Sequence, residues 1–247
     1  MSKVGGLPDL PPEFAWPEVD GFVLDFVAQI NLTEVKPFDK DDLLPSLGIL
    51  YFFYDIDRSL SDYKNSTRFN RTLYFDGDTS LLRRREWPVN RHQYATSYAP
   101  CVVNFRNELT LPYYESTQIM ELLNWSWETR NYKEREGVDA YVELQVALET
   151  PHTQKWVEHN RILGYGDAIQ GDVREEAAAI RLLGSWDSWV TSEHLDEVLK
   201  EQLLIQIDSI DAAKMMWGDV GRLYFSISQP ALAARQFDET VCVMQCT

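Results

Sequence analysis

The feature that most constrains the fold is a pattern that occurs twice, near opposite ends of the chain. Phe26–Asn31 and Leu203–Asp208 both read as three apolar residues followed by Gln, Ile, and Asn or Asp. Downstream of the two copies, Gly48–Phe53 matches Gly221–Ser226, with a slightly shorter connecting segment in the second copy. Two blocks in the same order at nearly the same spacing indicate a repeated structural unit.

A weaker third match extends the repeat upstream. Gly6–Asp9 pairs with Gly164–Asp167, and the two share their first and last residues. The three blocks together define repeat units at about residues 5–54 and 163–228. No Gly/Ser linker or low-complexity tract separates them. We therefore predict a single domain over residues 1–247, in which the two units pack about a pseudo-twofold axis.

Local patterns predict more strands than helices. Short blocks of β-branched and aromatic residues are typical of strands, and near-continuous apolar character indicates burial on both faces. The predicted strands are Val23–Ile30, Ile49–Tyr54, Arg71–Phe75, Cys101–Phe105, Tyr141–Leu148, Leu203–Ile207, Arg222–Ser228 and Thr240–Gln245. The predicted helices are Ser116–Asn124, Arg174–Leu183, Ser192–Gln202 with Ser192 as N-cap, and a short one with Pro230 in its first turn. Tyr54–Asn70, polar and poorly periodic, is predicted as a mobile loop. This pattern predicts an α+β fold with a mixed or antiparallel sheet and few helices.

The charge of the chain restricts its partners. Its 39 acidic and 23 basic residues give a net charge of −16, which repels phosphate backbones and anionic lipid headgroups. We therefore expect no nucleic acid and no membrane as partner. No apolar stretch approaches the length of a membrane helix, and the first residues do not resemble a signal peptide, so we expect a cytoplasmic location. The three cysteines, Cys101, Cys242 and Cys246, are predicted to be free thiols; Cys242 and Cys246 also have the spacing of half a metal site, but no second Cys or His pair completes it.

Several motifs together carry a family resemblance. They are Gly5–Asp9, Trp16-Pro17, Phe26–Asn31, Gly48–Phe53, Leu163–Asp172, Leu203–Asp208 and Trp217–Phe225. In this order they resemble the YwqG-like family, a bacterial domain of unknown function, over nearly the whole chain. The resemblance implies an α+β single domain and supplies no catalytic residue, substrate or cofactor. Members of that family usually have a further segment before the Gly-Gly-Leu-Pro motif. We therefore expect either that the chain is truncated or that its first unit lacks a supporting element, which would expose a sheet edge.

Polar residues within the repeated blocks are the candidate ligand-binding residues. Gln29 and Gln206 occupy equivalent positions inside apolar strands, where a buried amide needs hydrogen-bond partners. Each can either tie down a neighbouring loop or face a ligand cleft. Four aspartates lie in Gly-containing turns, where Asp often has a structural role. The candidate site residues are therefore Asp9, Gln29, Asp167, Gln170, Asp172, Gln206, Trp217 and Asp219.

No assembled catalytic or metal-binding motif accompanies these residues. The four histidines are scattered and predicted to be surface residues, and the sequence lacks a nucleophile elbow, a phosphate loop and a dinucleotide fingerprint. We therefore assign no catalytic residue, metal or cofactor, and incline towards a protein that is not an enzyme. Tryptophans 125, 127, 186, 189 and 217 could line a groove, although large rings are more often core.

These observations favour a binding protein, of the antitoxin or immunity type, whose acidic surface engages a basic partner. The alternative is a hydrolase that uses carboxylates in turns, with or without a metal ion. That alternative predicts Asp9, Asp167 and Asp172 within about 5 to 9 Å of one another. A third possibility is a structural subunit that associates through the exposed sheet edge. We expect a monomer or a weak homo-oligomer.

Overall fold

The computed structural model describes residues 1–125, 135–149, 158–184 and 190–247. Within these ranges, strands outnumber helices and most helices are short. The strands are β1 Lys3–Val4, β2 Asp9–Leu10, β3 Glu18–Val19, β4 Phe22–Val23, β5 Asp25–Asn31, β6 Ile49–Tyr54, β7 Asn70–Phe75, β8 Arg83–Arg84, β9 Cys101–Val102, β10 Arg161–Ile162, β11 Glu201–Asp208, β12 Arg222–Ser228 and β13 Val241–Gln245. The α-helices are α1 Leu32–Val35, α2 Ile56–Ser61, α3 Thr117–Leu122, α4 Arg135–Glu149, α5 Val173–Leu183, α6 Leu195–Val198 and α7 Gln229–Ala233. Short 3-10 helices occur at Tyr63–Arg68, Thr79–Leu81, Ser192–His194, Asp211–Ala213 and Phe237–Glu239.

The larger sheet has five strands in the order β7-β6-β5-β1-β9. Its pairings are antiparallel, and β1 and β6 flank β5 so that Gln29 lies opposite Lys3 on one side and Tyr51 on the other. Every residue of β6, and every residue of β5 except Asn31, is buried. The prediction of strands buried on both faces is therefore confirmed for this pair, because apolar side chains point to both sides of the sheet.

A second sheet has four strands in the order β10-β11-β12-β13. Arg161 of β10 lies opposite Gln206 of β11 in an antiparallel pairing. Gln206 thus lies beside a basic residue on a short neighbouring strand, as Gln29 does in the first sheet. The neighbouring strand is at the sheet edge for β10, whereas β1 lies between β5 and β9. The predicted strands at Leu203–Ile207 and Arg222–Ser228 are confirmed.

Contacts divide the chain into two compact units. Unit 1 comprises residues 1–107, 210–216 and 227–241, and unit 2 comprises residues 108–209, 217–226 and 242–247. In unit 1, Phe26 and Phe53 are fully buried, and the Trp16 ring packs edge-on against Phe53 at 5.7 Å between centroids. In unit 2, α5 packs on β11, and Trp217 and Tyr224 are fully buried.

The α+β class with antiparallel sheets and few helices is confirmed. The single domain and its pseudo-twofold arrangement stay predictions. Three predicted helices match α3, α5 and α7, with Ser116, Asp172 and Ser228 accepting backbone hydrogen bonds as N-caps. No helix in the described part of the chain is both long and apolar enough to cross a membrane.

The predicted strand Tyr141–Leu148 is wrong, because this segment belongs to helix α4. Val142, Leu144, Val146 and Leu148 alternate in the sequence, and this alternation suggested a strand. However, Leu144 and Val146 are about half exposed, at 49% and 54%. The more protected positions are Val138, Tyr141, Val142, Gln145 and Leu148. Their spacing is that of one helix face, so the helical period determines the structure.

The predicted loop Tyr54–Asn70 is also wrong, because it contains α2 and a 3-10 helix. Asp55 begins α2 as an N-cap, accepting a hydrogen bond from the backbone N–H of Arg58 at 2.9 Å. An Asp N-cap satisfies an otherwise free helix amide, which explains how a polar segment becomes ordered. Two other elements are shorter than predicted: the strand at Cys101 ends at Val102, and the helix after Ser192 ends at Val198 because β11 begins at Glu201.

Candidate functional site

In unit 1, Gln29 and Asp9 form the centre of a hydrogen-bonded network. The Gln29 side-chain oxygen accepts from the Asp9 backbone N–H at 2.9 Å, and its Nε2 donates to Asp9 Oδ2 at 3.1 Å and to the Met1 carbonyl at 3.0 Å. The Tyr51 hydroxyl donates to the Asp9 carbonyl at 2.7 Å. Both polar atoms of the buried Gln29 amide are thus satisfied, as burial requires.

The Asp9 carboxylate is held by two cations. Lys3 Nζ lies 2.8 Å from Oδ2, and Arg84 Nε lies 2.6 Å from Oδ1. Burial favours the neutral form of Asp9, but the hydrogen bonds from Arg84 and Lys3 outweigh it and lower the pKa of this carboxyl. Burial also lowers the pKa of Lys3, against the opposing effect of Asp9. Asp9 is therefore an ionised structural anchor.

Unit 2 contains the corresponding contacts around Asp167. Gln206 Oε1 accepts from the Asp167 backbone N–H at 2.8 Å, and its Nε2 donates to Asp167 Oδ2 at 3.3 Å and to the His159 carbonyl at 2.7 Å. The Tyr224 hydroxyl donates to the Asp167 carbonyl at 2.6 Å. Arg161 forms an ion pair with the Asp167 carboxylate. Gln206 is fully buried, so these bonds replace the water that the amide loses.

The two networks also share backbone geometry. Gly5 and Gly6 have positive φ angles of 66° and 73°, and Leu163 and Gly164 have φ angles of 61° and 67°. The left-handed turn before the aspartate is therefore the same in both units, although a leucine adopts it in unit 2. The sequence repeat stays a prediction, and this equivalence of contacts supports it.

Histidine and arginine distinguish the unit 2 network. His159 Nδ1 lies 2.9 Å from Asp167 Oδ2, and Arg222 Nη1 donates to the Asp167 carbonyl at 3.0 Å. His159 was predicted to be a surface residue, but its side chain is only 21% exposed. Its role could not be read from the sequence, because it lies outside any motif and reaches Asp167 only through the fold.

A third glutamine fixes the loop that follows Asp167. Gln245 Oε1 accepts from the backbone N–H groups of Ile169 and Gln170 at 2.7 and 3.2 Å. Its Nε2 donates to the Gly171 carbonyl at 2.8 Å and to Glu176 Oε1 at 2.7 Å. Sequence reasoning missed Gln245, although it is also a Gln in an apolar strand. Burial raises the pKa of Glu176 to about 7, because the bond from Gln245 only partly offsets the lost hydration.

The loop ends at Asp172, the N-cap of α5. Asp172 Oδ1 accepts from the backbone N–H groups of Arg174 and Glu175 at 2.7 and 3.3 Å. Burial raises the pKa of Asp172 even though Arg174 and these hydrogen bonds favour its charged form. Burial likewise raises the pKa of Glu175, and Asp172 contributes in the same direction. The first turn of α5 therefore concentrates carboxyl groups in a poorly hydrated place.

A small, shallow depression lies beside this turn. We call it the tyrosine depression; it is lined by Tyr113, Tyr165, Gly166, Asp172, Val173 and Arg174. The Arg174 guanidinium lies over the Tyr165 ring, 4.7 Å from its centroid, and Nη2 donates to Gln118 Oε1 at 2.7 Å. Arg174 Nε makes no hydrogen bond, since Asp172 Oδ1 is 3.8 Å away. Nothing in the sequence alone marks Tyr113, Tyr165 and Arg174 as neighbours.

The other predicted site residues lie in different settings. Trp217 is fully buried and donates through Nε1 to the Asp208 carbonyl at 2.9 Å, so its ring belongs to the core. Asp219 and Gln170 are exposed, and neither lines the tyrosine depression. Trp127, Trp186, Trp189 and His152 lie outside the described residues. Trp217 thus follows the core placement that the sequence favours for the tryptophans, and the groove stays the untested alternative.

Within the described ranges, no group of three or more His, Cys, Asp or Glu side chains is arranged to hold a metal ion. A family model described as "Domain of unknown function (DUF1963)" matches residues 2–246. No curated protein matches the chain.

Proposed function

Since the chain belongs to the DUF1963 family, whose function is unknown, its role has to be argued from its own sites, and we propose that it binds a basic partner protein. The proposed contact is a Lys or Arg side chain of that partner at the mouth of the tyrosine depression. The narrower YwqG-like assignment and the antitoxin or immunity role expected from the sequence stay predictions.

The observation that carries this proposal is the excess of carboxyl groups beside the depression. Asp172, at the N-cap of α5, and Glu175 and Glu176, in its first turn, all have raised pKa values. The Arg174 guanidinium acts on Asp172 and Glu175, whereas Glu176 accepts a hydrogen bond from Gln245. Asp172 raises the pKa of both Glu175 and Glu176, so the three groups repel one another when ionised. A bound cation would reduce this repulsion and stabilise the ionised forms.

Tyrosine rings give the depression a second means of attracting cations. Tyr113 and Tyr165 line it, and the face of an aromatic ring attracts an ammonium or guanidinium group. The Arg174 guanidinium already lies over the Tyr165 ring. In unit 1, the residues that precede Asp9 are Leu7 and Pro8, where unit 2 has Tyr165 and Gly166 before Asp167. The binding feature is therefore specific to unit 2.

The contacts favour binding over the alternative of a carboxylate hydrolase. Asp9 is held by Lys3 and Arg84, and Asp167 is held by Arg161, with His159 also in contact. A general base has to reach a substrate proton, and carboxylates held in ion pairs are poorly placed for that. No contact in the described residues gives the hydrolase specific support.

Calorimetric titration of the full chain with a tetra-arginine peptide tests the proposal. We expect binding that weakens as salt increases, because opposite charges are screened. Glu175→Gln should weaken binding about fivefold, the effect of losing roughly 1 kcal/mol of charge attraction. In the wild type, Glu175 accepts a hydrogen bond from the backbone N–H of Thr117 at 2.6 Å, and the Gln side chain retains an oxygen for this bond.

Glu193→Gln is the matched control, since Glu193 is exposed, also lies in unit 2 and does not line the depression. We expect it to change the affinity less than about twofold. A tetra-glutamine peptide should not bind. Absence of binding at low salt, or equal losses in the two variants, would reject the proposed site.

A further inference from the structure

A buried carboxyl group in unit 1 lies apart from the networks described above. Asp25 begins β5 opposite Tyr54 of β6, and it is only 1% exposed. Its Oδ2 accepts a hydrogen bond from the Thr96 backbone N–H at 2.8 Å. Its Oδ1 is buried and makes no hydrogen bond. A half-satisfied buried carboxyl is unusual, because each lost contact with water costs free energy.

The charges around Asp25 are mostly of the same sign. Asp55 and Asp57 lie near it in the α2 region, and Arg91 is the nearby cation. Asp55 already forms an ion pair with Arg58, at 2.6 Å. His92 lowers the pKa of Asp57. Ionised Asp25 would therefore add a negative charge to a place that holds two others.

Arg91 attracts Asp25 but makes no hydrogen bond to it. Its guanidinium stacks over Trp87 at 3.9 Å from the ring centroid, and Nη2 donates to the Ala95 carbonyl at 3.1 Å. The buried Arg91 Nε has no hydrogen-bond partner. Burial is the main cause that raises the pKa of Asp25 to about 7, and the nearby charges of Asp55 and Asp57 raise it further. The hydrogen bond from Thr96 and the charge of Arg91 act in the opposite direction. Tyr98 is buried in the same place, and its pKa is raised mainly by this burial and next by the charge of Asp25.

The segment of residues 90–99 lies over Asp25 and is fixed at both ends. Near its start, the Asn90 carbonyl accepts from the Val23 N–H at 3.1 Å. Near its end, the Tyr98 carbonyl accepts from the Gly6 N–H at 2.9 Å, and the Ala99 N–H donates to the Ala213 carbonyl at 2.8 Å. Between these anchors, the Thr96 N–H is bound to Asp25. The middle of the segment is thus held to the sheet through a titratable group.

We propose that the 90–99 segment is a pH-sensitive closure, which packs over Asp25 when this carboxyl is protonated and opens when it ionises. Opening would let water reach Asp25, which removes the cost of burying its charge beside Asp55 and Asp57. The proposal is independent of the cation site in unit 2, because all of these residues belong to unit 1.

The direction of the pH effect follows from linkage. In the closed state Asp25 binds its proton more tightly than in the open state, where its pKa returns towards the ordinary value of 3.8. The closed state is therefore favoured at low pH and loses stability as pH rises from about 4 to about 7. Above that range the effect is constant. The closing equilibrium should weaken by up to about 10³-fold across this interval.

Hydrogen exchange of the full chain tests the closure. We expect protection of the Thr96 amide, corrected for the intrinsic pH dependence of exchange, to fall by about 10²- to 10³-fold between about pH 4.5 and pH 7.5. In Asp25→Asn the group at this position no longer titrates, so corrected protection should be independent of pH. Asp41→Asn, an equal change at an exposed position of unit 1, should behave like the wild type.

A carboxyl-carbon NMR titration of the wild type keeps the test valid if Asp25→Asn fails to fold. The closure requires a midpoint for Asp25 well above 5 in the folded protein. A midpoint near 4 would overturn the proposal, as would corrected Thr96 protection that does not change with pH in the wild type.

Discussion

The Gln206 side chain grips Asp167 at two points, accepting from its backbone N–H at 2.8 Å and donating to its carboxylate at 3.3 Å. Gln29 makes the same pair of contacts to Asp9 in unit 1, at 2.9 and 3.1 Å. A single amide thus fixes both the backbone and the side chain of a turn aspartate. In unit 2, this grip precedes the loop that Gln245 holds and that ends at the tyrosine depression.

Replacement of Gln206 by methionine, which has a similar shape, should destabilise the protein. The Asp167 N–H would stay buried without its partner, and an unsatisfied buried polar group costs about 1–3 kcal/mol. We expect a loss of about 2–3 kcal/mol in the free energy of unfolding, measured by urea denaturation. Gln170→Met is the control, since Gln170 is exposed, and it should change stability by less than about 0.5 kcal/mol. Equal effects of the two substitutions would show that the hydrogen bonds between Gln206 and Asp167 do not contribute to the free energy of unfolding.

Asp9→Asn should destabilise the protein more at neutral pH than in acid. The substitution leaves buried Lys3 without its charged partner, and we expect a loss of about 2 kcal/mol near pH 7, less than for a fully buried pair because Asp9 is 26% exposed. The pKa of Asp9 is lowered in the folded state, so its contribution is present above about pH 4 and disappears as the carboxyl is protonated below it. Urea denaturation at about pH 7 and about pH 3 measures this difference. A loss of the same size at both pH values would contradict the ion-pair explanation.

Glu176→Gln should stabilise the protein at alkaline pH. The folded-state pKa of about 7 lies above the ordinary value of 4.5, so the folded state loses stability as pH rises between these values. The variant removes the titrating group and keeps an oxygen for the Gln245 amide, which donates at 2.7 Å. We expect a gain of about 2 kcal/mol near pH 8 and almost none near pH 4. Unfolding free energies that change equally with pH in both proteins would refute this prediction.

Gly5→Ala should be far more costly than Gly21→Ala. Both glycines have positive φ angles, 66° and 81°, so both substitutions introduce similar backbone strain. A Cβ on Gly5 would collide with the Ala99 carbonyl oxygen, whereas a Cβ on Gly21 meets nothing within 4 Å. We expect about 1 kcal/mol for Gly21 and at least about 3 kcal/mol for Gly5 by thermal or urea denaturation. Similar losses at the two positions would mean that the segment around Ala99 moves aside easily.

Sequence reasoning predicts the repeated strands well, because their apolar character extends over both faces. Ile49–Tyr54 and Arg222–Ser228 have the predicted limits. The buried position of Gln29 and Gln206 was also predictable, since a polar residue inside such a strand is buried with it. Each makes the contact with a neighbouring loop that the structural interpretation predicts, through the backbone N–H of its aspartate.

The tyrosine depression was not predictable, because distant segments form it. Tyr113 lies before α3, Tyr165 follows β10, and Arg174 is in α5. Helix α4 shows a different cause of error. Its alternating apolar residues suggested a strand, but its more protected residues follow the helical spacing of three to four positions. Asp25 was overlooked because an acidic residue at the start of a strand usually faces solvent, and only the segment around Thr96 makes it buried.

The most direct test of the proposed function is to locate where a cationic peptide binds. NMR titration of the labelled full chain with tetra-arginine should shift the resonances of Tyr113, Tyr165, Gly166 and Glu175 at low salt, and added salt should reverse these shifts. The account predicts that these residues shift more than any residue of unit 1. Shifts centred on another surface, or no shifts at all, would contradict it.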